Sequence, residues 1–342
     1  LFCPMHTFQQ NKSNSFFALL SLPSTAMGFA LSIQISALSW ILTTQYKLDI
    51  HDVGLVWAAG PLAGIIGQVI IGVISDKVWF WNGRRRPFIL IGGLLAALML
   101  LALPNLDVIS AGLGIGGILG VAIAVALTLD LAINVSFNPT RSIIADVTDE
   151  GDERTKGYTW MQSISGTFGV LAYAIGAVFN NYVLIYAGSV IVLLFSILPP
   201  LFITEPRELG PEENHQHPDS AADRKNRGED SLLGMLIAIR PLWGFLAYDI
   251  YAMGRRMAGI EPTSYYAEIA CAVITVLLVA QSLFEKDRPE ASQLGSFRKV
   301  IAAHSFSWVG IQTTFVFLFS FLQQQLPDMT DIDLGRVGSM SF

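Results

Sequence analysis

Asp130-Leu-Ala-Ile-Asn134-Val-Ser-Phe-Asn138-Pro139-Thr-Arg141 is a polar stripe set inside a long apolar run. The run opens with Gly112-Leu-Gly114-Ile-Gly116-Gly117 and continues to about Ile144. Asp130, Asn134, Asn138 and Arg141 recur at steps of four, four and three, so a helix carries them on one face. An ionisable carboxylate at that depth costs at least about 2.5 kcal/mol in a bilayer unless something pairs or uses it. The stripe therefore calls for a bundle interior or a water-filled path, and the run around it for a membrane span.

The rest of the chain agrees. Of 342 residues, 52% are hydrophobic and 14% charged, where an ordinary soluble domain carries about 25% charged residues. Mean hydropathy is +0.52. Runs of about twenty apolar residues, enough to cross a bilayer, cover 16–45, 53–75, 87–104, 111–146, 157–179 and 181–203. Glu205 to Ser231 is rich in Glu, Asp, Pro and His and reads as a solvated linker. Another run covers about Val300 to Leu322, and one more opens at Leu334. Between them, 232–284 reads as a cytoplasmic or interfacial helical insert, because Ala267 to Phe284 is short for a span and contains Glu268. One extra span there would invert every later helix, and two would put Arg255 and Arg256 outside.

The expected fold is an all-α membrane bundle, divided into a six-helix bundle (1–204), a cytoplasmic linker with a helical insert (205–297) and the start of a second membrane half (298–342). The chain begins with leucine and stops as an apolar run opens, which reads as a fragment. Basic residues set the orientation. Lys77, Arg84, Arg85 and Arg86 follow the second run, Arg154 and Lys156 the fourth, and Arg207, Arg224, Lys225 and Arg227 the sixth. The alternate connections are poor in them, so the N-terminus is expected in the cytoplasm of a polytopic plasma- or inner-membrane protein.

Several classes drop out. Cys3 and Cys271 are far apart and support neither a disulfide framework nor a metal site. The acidic loop Asp146–Arg154 lacks EF-hand spacing, and His215-x-His217 has no partner ligands. No basic face interleaved with aromatics suggests nucleic acid. No Walker sequence, phosphate-cradling glycine loop or nucleophile–base pair appears, so neither an enzyme nor an ATP-driven pump is expected, and no cofactor.

Between runs two and three stand Gly72-Val-Ile-Ser75-Asp76-Lys77 and Gly83-Arg84-Arg85-Arg86-Pro87. This spacing resembles the cytoplasmic loop signature of the major facilitator superfamily. Gly60-Pro61-Leu-Ala-Gly64, Asp130 with Asn134, and Thr140-Arg141-Ser-Ile-Ile-Ala145-Asp146-Val147 narrow the resemblance to sucrose-transporter-like members of the glycoside-pentoside-hexuronide cation symporter group. It covers about 28–180 and returns at Phe306-Ser-Trp308-Val-Gly310, the start of that family's seventh helix. The resemblance implies a facilitator-type bundle, here a six-helix N-terminal half and the start of the second. It implies proton-coupled symport of a sugar or glycoside, with Asp130 as the proton and sugar residue and Arg141 also functional. Phe315 to Gln323, where the family carries aspartates, is uncharged in this chain.

Eleven residues of helix rise about 16 Å, so Asp130 and Arg141 have separate jobs. A carboxyl placed like Asp130 can carry a proton and hydrogen-bond sugar hydroxyls; the alternative is a structural aspartate bonded to a neighbouring helix. Arg141 is expected to pair with Asp76 or Asp146 in a cytoplasmic gate, or else to touch substrate. Gln34, Ser32 and Ser36 on the first helix, Gln68 on the second, and Gln162, Ser163 and Tyr173 on the fifth are candidates to line the path, Gln34 and Gln68 foremost. Gly60/Gly64 and Gly112/Gly116/Gly120 are expected to serve close helix packing. The partners expected are a sugar, protons and lipid. The rival readings are a non-transporting facilitator-fold assembly factor or sensor, and a facilitator of another solute.

Overall fold

Among the residues that the computed structural model describes (12–81, 83–205, 243–258, 260, 264–284 and 292–342), there is no strand, and the single bridge is Phe80 to Gly83. Six helices take the six apolar runs in order: α1 (Asn14–Thr44), α2 (Ile50–Lys77), α3 (Arg86–Leu113), α4 (Ile118–Val147), α5 (Asp152–Val178) and α6 (Asn181–Phe202). α3 passes through a 3-10 turn at Leu103–Asn105. They are followed by α7 (Trp243–Met257), α8 (Tyr266–Phe284), α9 (Ser292–Gln325) and α10 (Asp331–Ser341). The chain divides into two compact units, Leu1–Gly210 with Phe317–Phe342, and Pro211–Val316.

The helix starts are written into the sequence. The Ser13 hydroxyl accepts from the Phe16 amide to open α1, Asp49 accepts from His51 and Asp52 at α2, and Asn180 accepts from Val183 at α6. Pro87 occupies the first turn of α3, where its missing N–H costs nothing. One boundary differs from expectation. Residues 111–117 do not begin the fourth run but end α3 and turn: Gly114 adopts φ 65° as its left-handed cap, and Gly117, at φ 118°, precedes α4. Gly112 and Gly116 would have nothing within 4 Å of an added Cβ, so they are not packing glycines.

Inside the first unit α1 is the core helix: 72% of its apolar window is buried, against 17% for α5. It packs on α5 and α6, while α4 lies against α2 and α3, and α3 reaches across to α6. Serines and threonines on α1 turn back to carbonyls four residues earlier, Ser21 to Phe17, Thr25 to Ser21 and Ser32 to Gly28. These hydroxyls are thereby satisfied within their own helix. The outward faces are apolar. Ile91, Leu94, Leu98 and Leu101 line one side of α3, and Val183, Tyr186, Val190, Leu194, Leu198 and Leu201 one side of α6, all exposed. Soluble monomers rarely expose continuous apolar ridges of this size, and five of the described helices are long and apolar enough to cross a membrane. The protein is an integral, polytopic membrane protein.

The segment that opens at Leu334 is a helix, α10, started by the Thr330 hydroxyl. It packs on α1, α5 and α6. The Ser339 hydroxyl lies 2.7 Å from that of Ser36 and 2.9 Å from Asn181 Oδ1, all three residues being buried. Trp40 donates to the Asp331 carbonyl at 2.7 Å, and Arg336 to the Phe179 carbonyl at 2.9 Å. Ser36, expected to line the path, is used in this docking instead.

In the second unit α7 and α8 pack together, with Thr275 close over Gly244 and an Arg255–Glu268 ion pair at 3.2 Å. The insert expected over 232–284 is thus helical across these two elements. The linker beyond Glu205 lies outside the described residues.

The α3–α4 contact is a tight and testable feature. A Cβ on Gly92 would stand 2.2 Å from Ser136 Oγ and 2.6 Å from the Ala132 carbonyl, a backbone atom with nowhere to move. Gly92→Val is expected to destabilise the detergent-solubilised protein by about 1–3 kcal/mol, and Gly112→Ala to stay within about 0.5 kcal/mol of the parent. Thermal-shift measurement on both decides, and equal effects would contradict this packing.

Candidate functional site

Asp130 stands near the middle of α4, and α4 delivers it to a junction of three helices. α2 brings Gly60 and Gly64 over the stripe: a Cβ at Gly60 would lie 3.2 Å from Asp130 Oδ2, and one at Gly64 3.9 Å from Asn134 Nδ2. Any side chain at 60 would press on the carboxylate, so the glycine pair does serve close approach, and it serves it at the acid. α1 brings Gln34, whose Nε2 donates to Asp130 Oδ2 at 3.2 Å. Asn134 turns its amide back to the Asp130 carbonyl at 2.8 Å. Gln34 is 1% exposed, and its Oε1 is buried without a hydrogen-bond partner among the described residues, an arrangement that costs about 1–3 kcal/mol. No ion pair reaches Asp130 among the described residues. The centre of the bundle thus holds an uncompensated carboxyl and an amide with one unmet acceptor, a set able to exchange a proton and to bond hydroxyls.

Arg141 is elsewhere. It is exposed, with its guanidinium 4.6 Å from the centroid of the Phe137 ring, and its carbonyl accepts from the Tyr158 hydroxyl at 3.3 Å. The expected Arg141–Asp146 pair does not form. The Asp146 carboxylate instead takes Arg84 Nη2 at 2.9 Å and Arg85 Nε at 3.3 Å. These side chains are 8–16% exposed, so the ions attract each other with little screening, while Arg141 stays with its aromatic neighbour and solvent. The other expected partner, Asp76, lies with Gly72 and Gln68 in α2, where these side chains fall outside the described residues. Gln162 and Ser163 are exposed on α5.

The arginine loop has a second anchor, one the sequence reading assigned to the solvated linker. Glu205, just past the end of α6, accepts the backbone amides of Arg84, Arg85 and Arg86 at 2.7, 2.8 and 2.7 Å. Those are the orphan donors at the start of α3, where the helix dipole also favours an anion. Gly83 lets the carboxylate in: a Cβ there would be 2.9 Å from Glu205 Oε1. A signal was available, because α3 begins without a capping side chain of its own and an acid follows directly on a neighbouring span. On the same face Lys12 pairs with Asp149 at 2.8 Å and with Glu153. Its ammonium holds the exposed Asp149 carboxyl below the ordinary carboxylate range. No group of metal-ligating side chains occurs among the described residues.

The family model of the Major Facilitator Superfamily matches residues 20–339. The General alpha-glucoside permease of Schizosaccharomyces pombe is 30% identical over 174 residues, 46% of this chain and 31% of that protein. Sucrose transport protein SUC4 of Arabidopsis thaliana is 29% identical over 188 residues, 49% of this chain and 34% of that protein. The matched stretches span about a third of the length of these relatives. A solved structure of the nucleoside transporter NupG aligns with a TM-score of 0.47 at 11% identity, covering 95% of this chain and 87% of the other.

Removing the Glu205 carboxylate should loosen the arginine loop. In Glu205→Ala the amides of Arg84–Arg86 are expected to exchange with deuterium roughly tenfold faster or more, the scale of a lost helix cap. Unchanged protection at these three amides would show that the cap does not hold the loop.

Proposed function

This chain belongs to the major facilitator superfamily, and on that premise we propose that it is the first half, with the opening of the second, of a transporter that moves a sugar or glycoside together with protons by alternating access. The observation that carries the reading is the Gln34–Asp130 pair at the three-helix junction, with no cation set against the acid among the described residues. Facilitators bind their cargo near the bilayer midplane, between two halves that rock against each other. A carboxyl halfway along a span, bonded to an amide, has the chemistry for that station: it can load a proton and then bond a hydroxyl. The relatives named for alpha-glucoside and sucrose transport support a sugar as cargo.

In this reading the arginine loop, Asp146 and Glu205 face the cytoplasm, in keeping with the lysines and arginines of alternate connections. Arg84 and Arg85 brace the inner ends of α3, α4 and α6 against one another, and Arg141, left out of that cluster, is free to meet substrate at the inner mouth. Asn134 steadies the α4 backbone below Asp130. Gly72, Asp76 and Gln68 keep their proposed places in the α2 half of the same gate and path.

The test uses the full-length protein in proteoliposomes with a radiolabelled disaccharide, with and without an inward pH gradient. The parent is expected to accumulate sugar only with the gradient, and Asp130→Asn to lose that accumulation by tenfold or more, the effect of removing a positioned proton-transfer group. Uphill uptake equal to the parent's would remove Asp130 from the mechanism.

A further inference from the structure

We propose that Gln34 is the positioning residue that serves Asp130 in both of its protonation states: its amide donates to the ionised carboxylate, and, turned half a revolution, accepts from the protonated acid. The inference rests on the proton-coupled reading above and assigns to α1 a share of the coupling.

Two observations meet at this pair. Gln34 Nε2 lies 3.2 Å from Asp130 Oδ2, an arrangement matched to a carboxylate, which can only accept. The other end of the same amide, Oε1, is buried without a partner among the described residues. Buried acceptors are rarely left unmet in native proteins, and one that is calls for an explanation. A carboxylic acid supplies the missing donor. When a proton arrives on Asp130 it forms an O–H directed at Gln34, and rotation about the last side-chain torsion, whose two orientations differ little in intrinsic energy, presents Oε1 to it. One proton is taken up, no other bond forms or breaks, and the α1–α4 link survives the change of charge.

The surroundings leave the amide this role. α1, α2, α3 and α5 all pack on α4. α1 contributes Gln34 and α2 contributes Gly60, which has no side chain to offer. Tyr173 of α5 is turned to Ser32 of α1. Among the described residues of α2, α3 and α5, no lysine, arginine, histidine or second acid bears on Asp130. Among the described residues the carboxyl therefore has one hydrogen-bonding side chain to answer to, and an amide is a neutral side chain that can answer both forms. Methionine at this position has no donor for the carboxylate and only a weak sulfur acceptor for the acid. Glutamate would set two carboxyls close enough to share a single proton.

The experiment uses the full-length protein in proteoliposomes and two assays: sugar counterflow at equal pH, and accumulation driven by a pH gradient. For Gln34→Met the ratio of accumulation to counterflow is expected to fall roughly tenfold, the factor one charge-assisted hydrogen bond carries. For Gln34→Glu the pH profile of counterflow is expected to change shape, with a second titration step. A parental ratio in Gln34→Met, or a parental pH profile in Gln34→Glu, overturns the inference. If Gln34→Met does not fold, the Gln34→Glu profile decides alone. Asp130→Asn run alongside separates the two failures. Its loss of accumulation together with parental Gln34 variants removes Gln34 only, and its retention of accumulation removes the proton-coupled reading itself.

Discussion

The interaction on which this structure depends is the hydrogen bond between Gln34 and Asp130, because it settles how a bundle of apolar helices keeps an acid at its centre. Polar groups inside a membrane protein must be matched within the protein. The backbone meets that demand through its helices, and Ser21, Thr25, Ser32, Thr43 and Thr44 of α1 through bonds to their own turns. Asp130 cannot be satisfied locally. It needs a partner from another helix, and that requirement draws α1 and α4 together while Gly60 on α2 makes room. The packing of three spans is organised around one side chain's chemistry.

The two ends of the bundle solve the same problem with different chemistry. At the arginine loop the links are ionic: Asp146 gathers Arg84 and Arg85, and Glu205 gathers the amides that open α3. At the far end of α1 the buried links are neutral, through Ser36, Asn181 and Ser339, and the ion pair there, Lys47 with Asp331 at 3.4 Å, is exposed to solvent; a Cβ on Gly176 would be 2.5 Å from Ser339 Oγ. Neutral hydroxyls and amides can be parted and wetted at little cost compared with a buried ion pair, whose separation costs several kcal/mol. The structure joins a rigid end to a more easily opened one.

Much of this was legible in the sequence. Apolar runs of spanning length located all six helices, because run length reports membrane thickness directly. The four-four-three spacing put Asp130, Asn134 and Asn138 on one face, and Gln34 was singled out on α1 as a candidate to line the path. What could not be read was who partners whom. Arg141 and Asp146 lie five residues apart and of opposite charge, yet Asp146 is taken by arginines some sixty residues earlier. Glu205 looked like the first acid of a solvated linker because hydrophilic composition continues after it, and only the fold shows that it ends beside α3. Gly112 and Gly116 had the spacing of packing glycines but belong to a turn. Composition and period carry information about a helix's own faces; contacts between distant segments are set by a geometry that no local pattern contains.

Glu205 also has a consequence for the order in which the protein is built. It is synthesised after all six spans, yet its carboxylate belongs at the beginning of the third. Until the ribosome has passed it, the first turn of α3 has no anion to receive its amides, and the arginine loop lacks one of its two anchors. Closure of this end therefore cannot precede the synthesis of the sixth helix: the start of the third waits on a single acid made more than a hundred residues later.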